Sequence, residues 1–150
     1  MYHLLETEHR RIQQFKEAVQ DENYFDVVEK LIRKAFEKAD DVNIYDRASM
    51  FEAVPVTDGY VYFLKINKVF ENKRRIIYEL MHEMGHLFDS ISLDRSLDPN
   101  SEHPKSERSR EIRAWAFADE EFKNSPELQD CIQEYNEHKQ LSLLSYEIEM

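Results

Sequence analysis

Apolar residues recur at helical spacing over the first 40 positions. Residues 3–20 place Leu4, Leu5, Ile12, Phe15 and Val19 loosely on one side amid charge. Residues 22–39 repeat Phe25, Val28, Ile32, Ala35, Phe36 and Ala39 in a clearer stripe of period 3.6. Asp21 stands where an N-cap for that second helix belongs. Between 42 and 66 the texture changes: Val42–Tyr45, Phe51–Val56 and Tyr60–Ile66 are rich in β-branched and aromatic residues. Thr57-Asp58-Gly59 supplies a turn between the last two, which predicts a small antiparallel sheet.

The helical period returns over 72–92 and is sharp there. Ile76, Ile77, Leu80, Met81, Met84, Leu87, Phe88 and Ile91 fall within an arc of about 140° at 100° per residue. Residues 93–106 are polar and read as a loop, and a helix over 107–123 follows. Ser125 as cap and Pro126 in the first turn open a last helix over 125–140. The expected fold class is therefore α+β and mostly helical, one domain over 1–150, with N-terminal helices in 1–40 and the sheet in 42–66. Only 2 glycines and 4 prolines interrupt the chain, in keeping with long regular elements.

Composition narrows the partners. Hydrophobic residues at 41% and charged residues at 34% suit a soluble globular protein. A formal charge of -11 repels nucleic-acid phosphate and anionic lipid, so neither is an expected partner. Cys131 is the one cysteine, which excludes an intramolecular disulfide and a cysteine-rich zinc finger. No basic segment followed by an apolar run opens the chain, and no stretch reaches the roughly 18 apolar residues of a membrane span. These features point to the cytoplasm.

The chemistry concentrates in His82-Glu83-Met84-Gly85-His86, inside the sharpest helical pattern. Two histidines four residues apart on one helical turn reach a single ion, and the intervening Glu83 stands beside it toward a water. Both histidines project roughly 170–210° from the centre of the apolar stripe, so the imidazole face is opposite the packing face. Gly85 costs up to about 1 kcal/mol relative to Ala in mid-helix, a cost that close approach of another backbone or of substrate would offset.

A catalytic zinc needs a third protein ligand and keeps the fourth position for water. Asp89 and Ser92 stand where the metzincin pattern requires Gly and His, so that solution fails. Glu111 is the leading candidate: it aligns with Ala114, Trp115, Ala118 and Phe122 on an apolar face, where a carboxylate is costly unless paired or metal-bound. The small Ala114 and Ala118 allow close approach of the two helices. The competing role for Glu111 is an ion pair with Arg108 or Arg113; rival ligands are Glu107, Asp89 and His103.

HEMGH followed by Glu111-Ile112-Arg113-Ala114-Trp115-Ala116-Phe117-Ala118 resembles the H-E-x-G-H … E-x-x-A-x-x-F-A signature of gluzincin zinc metallopeptidases. Two branches are similar over roughly residues 60–135. In the ImmA/IrrE family a strand and arginines precede the HExGH helix, as Tyr60–Ile66 and Arg74-Arg75 do here. The catalytic domain of anthrax lethal factor shares H-E-x-G-H-x-x-D, as in His82 to Asp89, and a proline-led helix like Ser125-Pro126-Glu127-Leu128. Trp115 stands where the ImmA/IrrE signature has Asn, and residues 93–110 lack the tyrosine of the lethal-factor branch.

The resemblance implies a minimal zincin-like domain, one zinc per chain held by His82, His86 and Glu111, and hydrolysis of a protein or peptide substrate, such as a regulatory protein. Glu83 is then the general base, with Tyr60, Tyr62, Tyr78 and Tyr135 as candidate oxyanion donors. The alternative is a zinc-stabilised, non-catalytic interaction module of a bacterial or mobile-element regulatory system, in which Glu83 is dispensable. A metal-free helical adaptor would leave Glu111 unexplained.

Overall fold

A computed structural model describes residues 2–89 and 107–148. Ile91, His103 and the polar loop over 93–106 lie outside them, as do the side chains of Leu4, Leu5 and Glu107. The chain is mostly helical with one three-stranded mixed sheet. Helix α1 spans Tyr2–Val19 and buries Ile12, Phe15 and Val19. The Asp21 carboxylate accepts the Asn23 N–H at 3.0 Å, so it caps a 3₁₀ turn, Glu22–Tyr24, that leads into α2, Phe25–Ala35. The predicted helix over 22–39 is thus split at its start and loosens at its end. Glu37 and Lys38 bond back only three residues, to Lys34 and Ala35, while Phe36 and Ala39 stay buried.

The sheet departs from the antiparallel expectation. Strands β1 (Asp41–Tyr45), β2 (Met50–Val56) and β3 (Gly59–Asn67) lie in the order β1-β3-β2. β2 pairs antiparallel with β3, as a tight turn requires, and Gly59 takes φ +145 at that turn, a conformation side chains rarely adopt. β1 pairs parallel with the other edge of β3, Val42 facing Leu64 and Ile44 facing Ile66. The physical reason is that the hairpin occupies one edge of β3 and leaves the other open to β1. Pro55, which lacks an N–H, sits on the edge strand β2, where the loss of a donor is tolerated. The β1–β2 connection passes over the end of β3, where the Asn67 N–H donates to Ser49 Oγ at 2.8 Å.

α3 runs Arg74–Leu87, shorter than the predicted 72–92, with the Asn72 side chain accepting the Arg74 N–H at 3.1 Å. Its buried residues include Ile76, Ile77, Leu80, Met81, Met84 and Leu87, and also His82, Glu83 and Gly85. It is the central helix, packed on the sheet and on every other helix. α4 spans Glu107–Lys123 as expected. The last helix does not begin at 125: Pro126–Cys131 is 3₁₀, and α5 spans Ile132–Ile148. Ser125 precedes the turn but does not cap it. Its hydroxyl donates to the Glu121 carbonyl at 2.8 Å and accepts from Lys30 Nζ at 3.1 Å. No described helix is long and apolar enough to cross a membrane.

α5 is tied to the start of α3 by Glu134. Its carboxylate accepts from Arg74 Nε at 2.9 Å and Nη2 at 2.8 Å, from the Tyr78 hydroxyl and from Asn72. The Arg74 hydrogen bonds outweigh burial and hold the Glu134 carboxyl at about 2, below its ordinary 4.5. A depressed carboxyl contributes stability present above about 4.5 and lost as pH falls toward about 2. Glu134→Gln is expected to destabilise by roughly 1–2 kcal/mol at pH 7, allowing for solvent screening of half-exposed Arg74. In thermal melts across pH, the gap to wild type should close below about 4.5; a gap independent of pH would contradict this role.

Candidate metal centre

α3 and α4 cross at Gly85 and Ala114. A Cβ added at Gly85 would lie 2.3 Å from the Ala114 carbonyl oxygen and 2.6 Å from its Cα, so only glycine admits this crossing. The close approach expected at Gly85 is made by the backbone of α4. Contact this near brings Glu111, one turn before Ala114, over the turn that carries both histidines.

His82 Nε2 lies 2.8 Å from Glu111 Oε1 and His86 Nε2 lies 2.6 Å from Oε2. The three ligating atoms all lie within 4.8 Å of one another, and His82 and Glu111 are buried at 6% and 4% exposure. The imidazole face of α3 is therefore covered by α4 rather than turned to solvent. Trp115, on the next turn position of α4, lies flat on the His82 ring at 4.5 Å and 9°, fixing its plane. His82 Nδ1 lies 3.2 Å from Glu83 Oε2, which holds the Glu83 carboxylate beside the cluster.

Burial works against charge on His82, but hydrogen bonds to Glu111 and Glu83 outweigh it and raise its pKa. Burial likewise opposes charge on Glu111, and the two imidazoles overcome this and lower its pKa. The cluster is thus a buried carboxylate satisfied by imidazole N–H groups, in a place where a divalent cation can take over the same task. The donor set fits zinc: two imidazole nitrogens and one carboxylate oxygen, with no sulfur. Tetrahedral zinc at about 2.0–2.2 Å from each donor keeps donors roughly 3.4 Å apart. Donors within 4.8 Å meet that demand with small side-chain rotations.

The rival assignments separate on geometry. Arg113 Nε faces the Asp89 carboxylate at 2.9 Å, so Arg113 pairs with Asp89 while Glu111 turns to the histidines. His103 and the side chain of Glu107 lie outside the described residues. Two of the four candidate oxyanion tyrosines are engaged in the core: the Tyr78 hydroxyl donates to Glu134 and the Tyr135 hydroxyl to Asp119. Tyr60 and Tyr62 lie on β3.

Beside the cluster opens a cleft of about 570 Å³ whose lining includes His82, Glu83, Glu79, Arg75, His138 and Ser49. Sequence reasoning noted Arg75 only in the ImmA/IrrE resemblance, without a role, and did not single out Glu79 or His138. The first two share a helical stripe with Glu83, at spacings of eight and four residues, a signal that was present. His138 arrives from α5 and has no local signal. No protein-family model, curated protein or solved structure matches the chain.

Proposed function

We propose that this protein is a zinc-dependent endopeptidase of the gluzincin type, a minimal zincin-like domain acting on a protein or peptide substrate in the cytoplasm. The observation that carries the reading is the convergence of His82, His86 and Glu111 from two helices into one buried cluster, with Glu83 beside it at the wall of a cleft. His82, His86 and Glu111 would hold a zinc ion, which when bound would supply Lewis acidity and a water of lowered pKa. Glu83 accepts the proton of the attacking water and passes it to the leaving amine. His82 keeps the Glu83 carboxylate in place through Nδ1, and Trp115 keeps His82 in its plane. α4 excludes bulk water from one side of the cluster, which strengthens each of these interactions. The motif resemblance to ImmA/IrrE and lethal-factor peptidases agrees with this reading.

Metal content tests it. Purified wild type is expected to carry about one equivalent of zinc, and Glu111→Ala far less, with a lower melting temperature because metal binding is linked to folding. Glu107→Ala serves as the control on the same helix and should retain the metal. Equal zinc in wild type and Glu111→Ala, or loss in Glu107→Ala alone, would overturn the ligand set.

A further inference from the structure

The cleft beside Glu83 contains an arginine, Arg75, whose charge meets no carboxylate among the described residues. Arg11, Arg33, Arg74 and Arg113 each face a carboxylate. Arg75 makes one side-chain hydrogen bond, to His138 Nδ1 at 3.1 Å, and no ion pair among the described residues. In a chain of net charge -11, a half-buried guanidinium that faces no described carboxylate is conspicuous. A guanidinium offers five N–H donors in a planar fork, so most of its capacity is unspent.

Its orientation is nevertheless fixed, by hydrogen bonds running from Glu79 through His138. Ser49, whose Oγ accepts the Asn67 N–H at 2.8 Å, lines the same cleft as Glu79. Glu79 Oε2 lies 2.7 Å from His138 Nε2, so that nitrogen carries the proton and donates. Nδ1 is left with its lone pair, which accepts from Arg75 Nη1. His138 is 7% exposed and ringed by Phe70, Tyr78 and Trp115, so it cannot swing away. Glu79 Oε2 turns to His138 rather than to the guanidinium. The fork is held in place without being neutralised by any described residue, as a site for an anion requires.

We propose that Arg75 binds a carboxylate of the peptide substrate, which makes it a specificity-determining residue of the cleft; this rests on the peptidase reading above. A monoanionic carboxylate suits the fork, whereas Glu79 and Glu83 in the same cleft repel a phosphate dianion more strongly. Arg75 and Glu83 are eight residues apart on α3, about 12 Å along the axis. An extended peptide advances about 3.3–3.6 Å per residue, so the recognised carboxylate lies roughly three residues from the scissile bond. It belongs either to an acidic side chain or to the peptide's C-terminus.

Three probes separate the possibilities: acetyl-hexaalanine amide, the same peptide with a free C-terminus, and the amide with one Ala replaced by Glu. Binding is measured by NMR titration into Glu83→Gln protein, which leaves the probes intact. At least one carboxylate probe is expected to bind about tenfold or more tighter than the neutral amide and to shift the Arg75 Nε–Hε resonance. The gain should vanish in Arg75→Gln and fall in Arg75→Lys, which keeps a charge but not the fork. A gain in the Glu probe alone assigns an acidic side chain; a gain in the free-acid probe alone assigns the C-terminus. Equal binding of all three, an unmoved Arg75 resonance, or an undiminished gain in Arg75→Gln overturns the proposal. Hydrolysis is not needed for any of these readouts. Their failure leaves the peptidase reading standing, and absence of Glu83-dependent cleavage leaves the carboxylate site standing.

Discussion

Replacing Glu83 with Gln is expected to leave the protein folded and its zinc bound while lowering peptide hydrolysis by about 10²–10⁴-fold. Glu83 is close to the cluster through His82 Nδ1, 3.2 Å from its carboxylate, yet it is not one of the three converging ligands. An amide fills the same volume and can still accept the His82 N–H, so the local packing survives. It cannot accept a proton from water. The loss should therefore fall on the chemical step, with kcat reduced and KM little changed. Metal content and circular dichroism accompany the kinetics. Undiminished hydrolysis in Glu83→Gln would remove Glu83 from the mechanism; a variant devoid of metal would make it a ligand instead.

Gly85→Ala is expected to damage fold and metal site together. The new Cβ would lie 2.3, 2.6 and 2.8 Å from the carbonyl oxygen, Cα and carbonyl carbon of Ala114, all backbone atoms with no rotamer to yield. α4 must move away from α3. The gain in helix propensity, up to about 1 kcal/mol, is too small to offset the overlap. A net loss of about 3 kcal/mol follows, or a melting temperature lower by roughly 6–12 °C for a domain of this size. Glu111 lies one turn from Ala114 and moves with it, so zinc affinity should fall by about tenfold or more. Calorimetry and competitive zinc titration read the two effects. An unchanged melting temperature would show that the helices do not cross as closely as described.

How much was legible in the chain differs by element. α4 matches its predicted bounds because Ala114, Trp115, Ala118 and Phe122 repeat on one face with nothing competing. The position of Glu111 among them placed it facing inward, where it meets His82 and His86. The parallel pairing of β1 was not legible: strand composition says that three strands exist, while the edge each takes depends on where the hairpin has already formed. Ser125 reads as a cap locally, but Lys30 and the Glu121 carbonyl, both distant from its own helix start, claim its hydroxyl.

The cleft was the least legible part. Arg75 and Glu79 lie on the Glu83 stripe, but nothing in their spacing says that His138 from α5 bridges them or that Ser49 from a strand connection lines the same cleft. Helical periodicity put the imidazoles opposite the apolar stripe without saying how closely they are covered. Burial of both faces of α3 is a consequence of Gly85 meeting Ala114, a contact between residues far apart in the chain.

The most direct test of the central claim is exposure of a proteome-derived peptide library to wild-type protein before and after metal removal, with new termini read by mass spectrometry. The peptidase account predicts new termini with zinc-loaded wild type, their loss on chelation, their return on zinc addition, and none with Glu83→Gln. A library left intact by the zinc-loaded protein, or cut equally by wild type and Glu83→Gln, would contradict it.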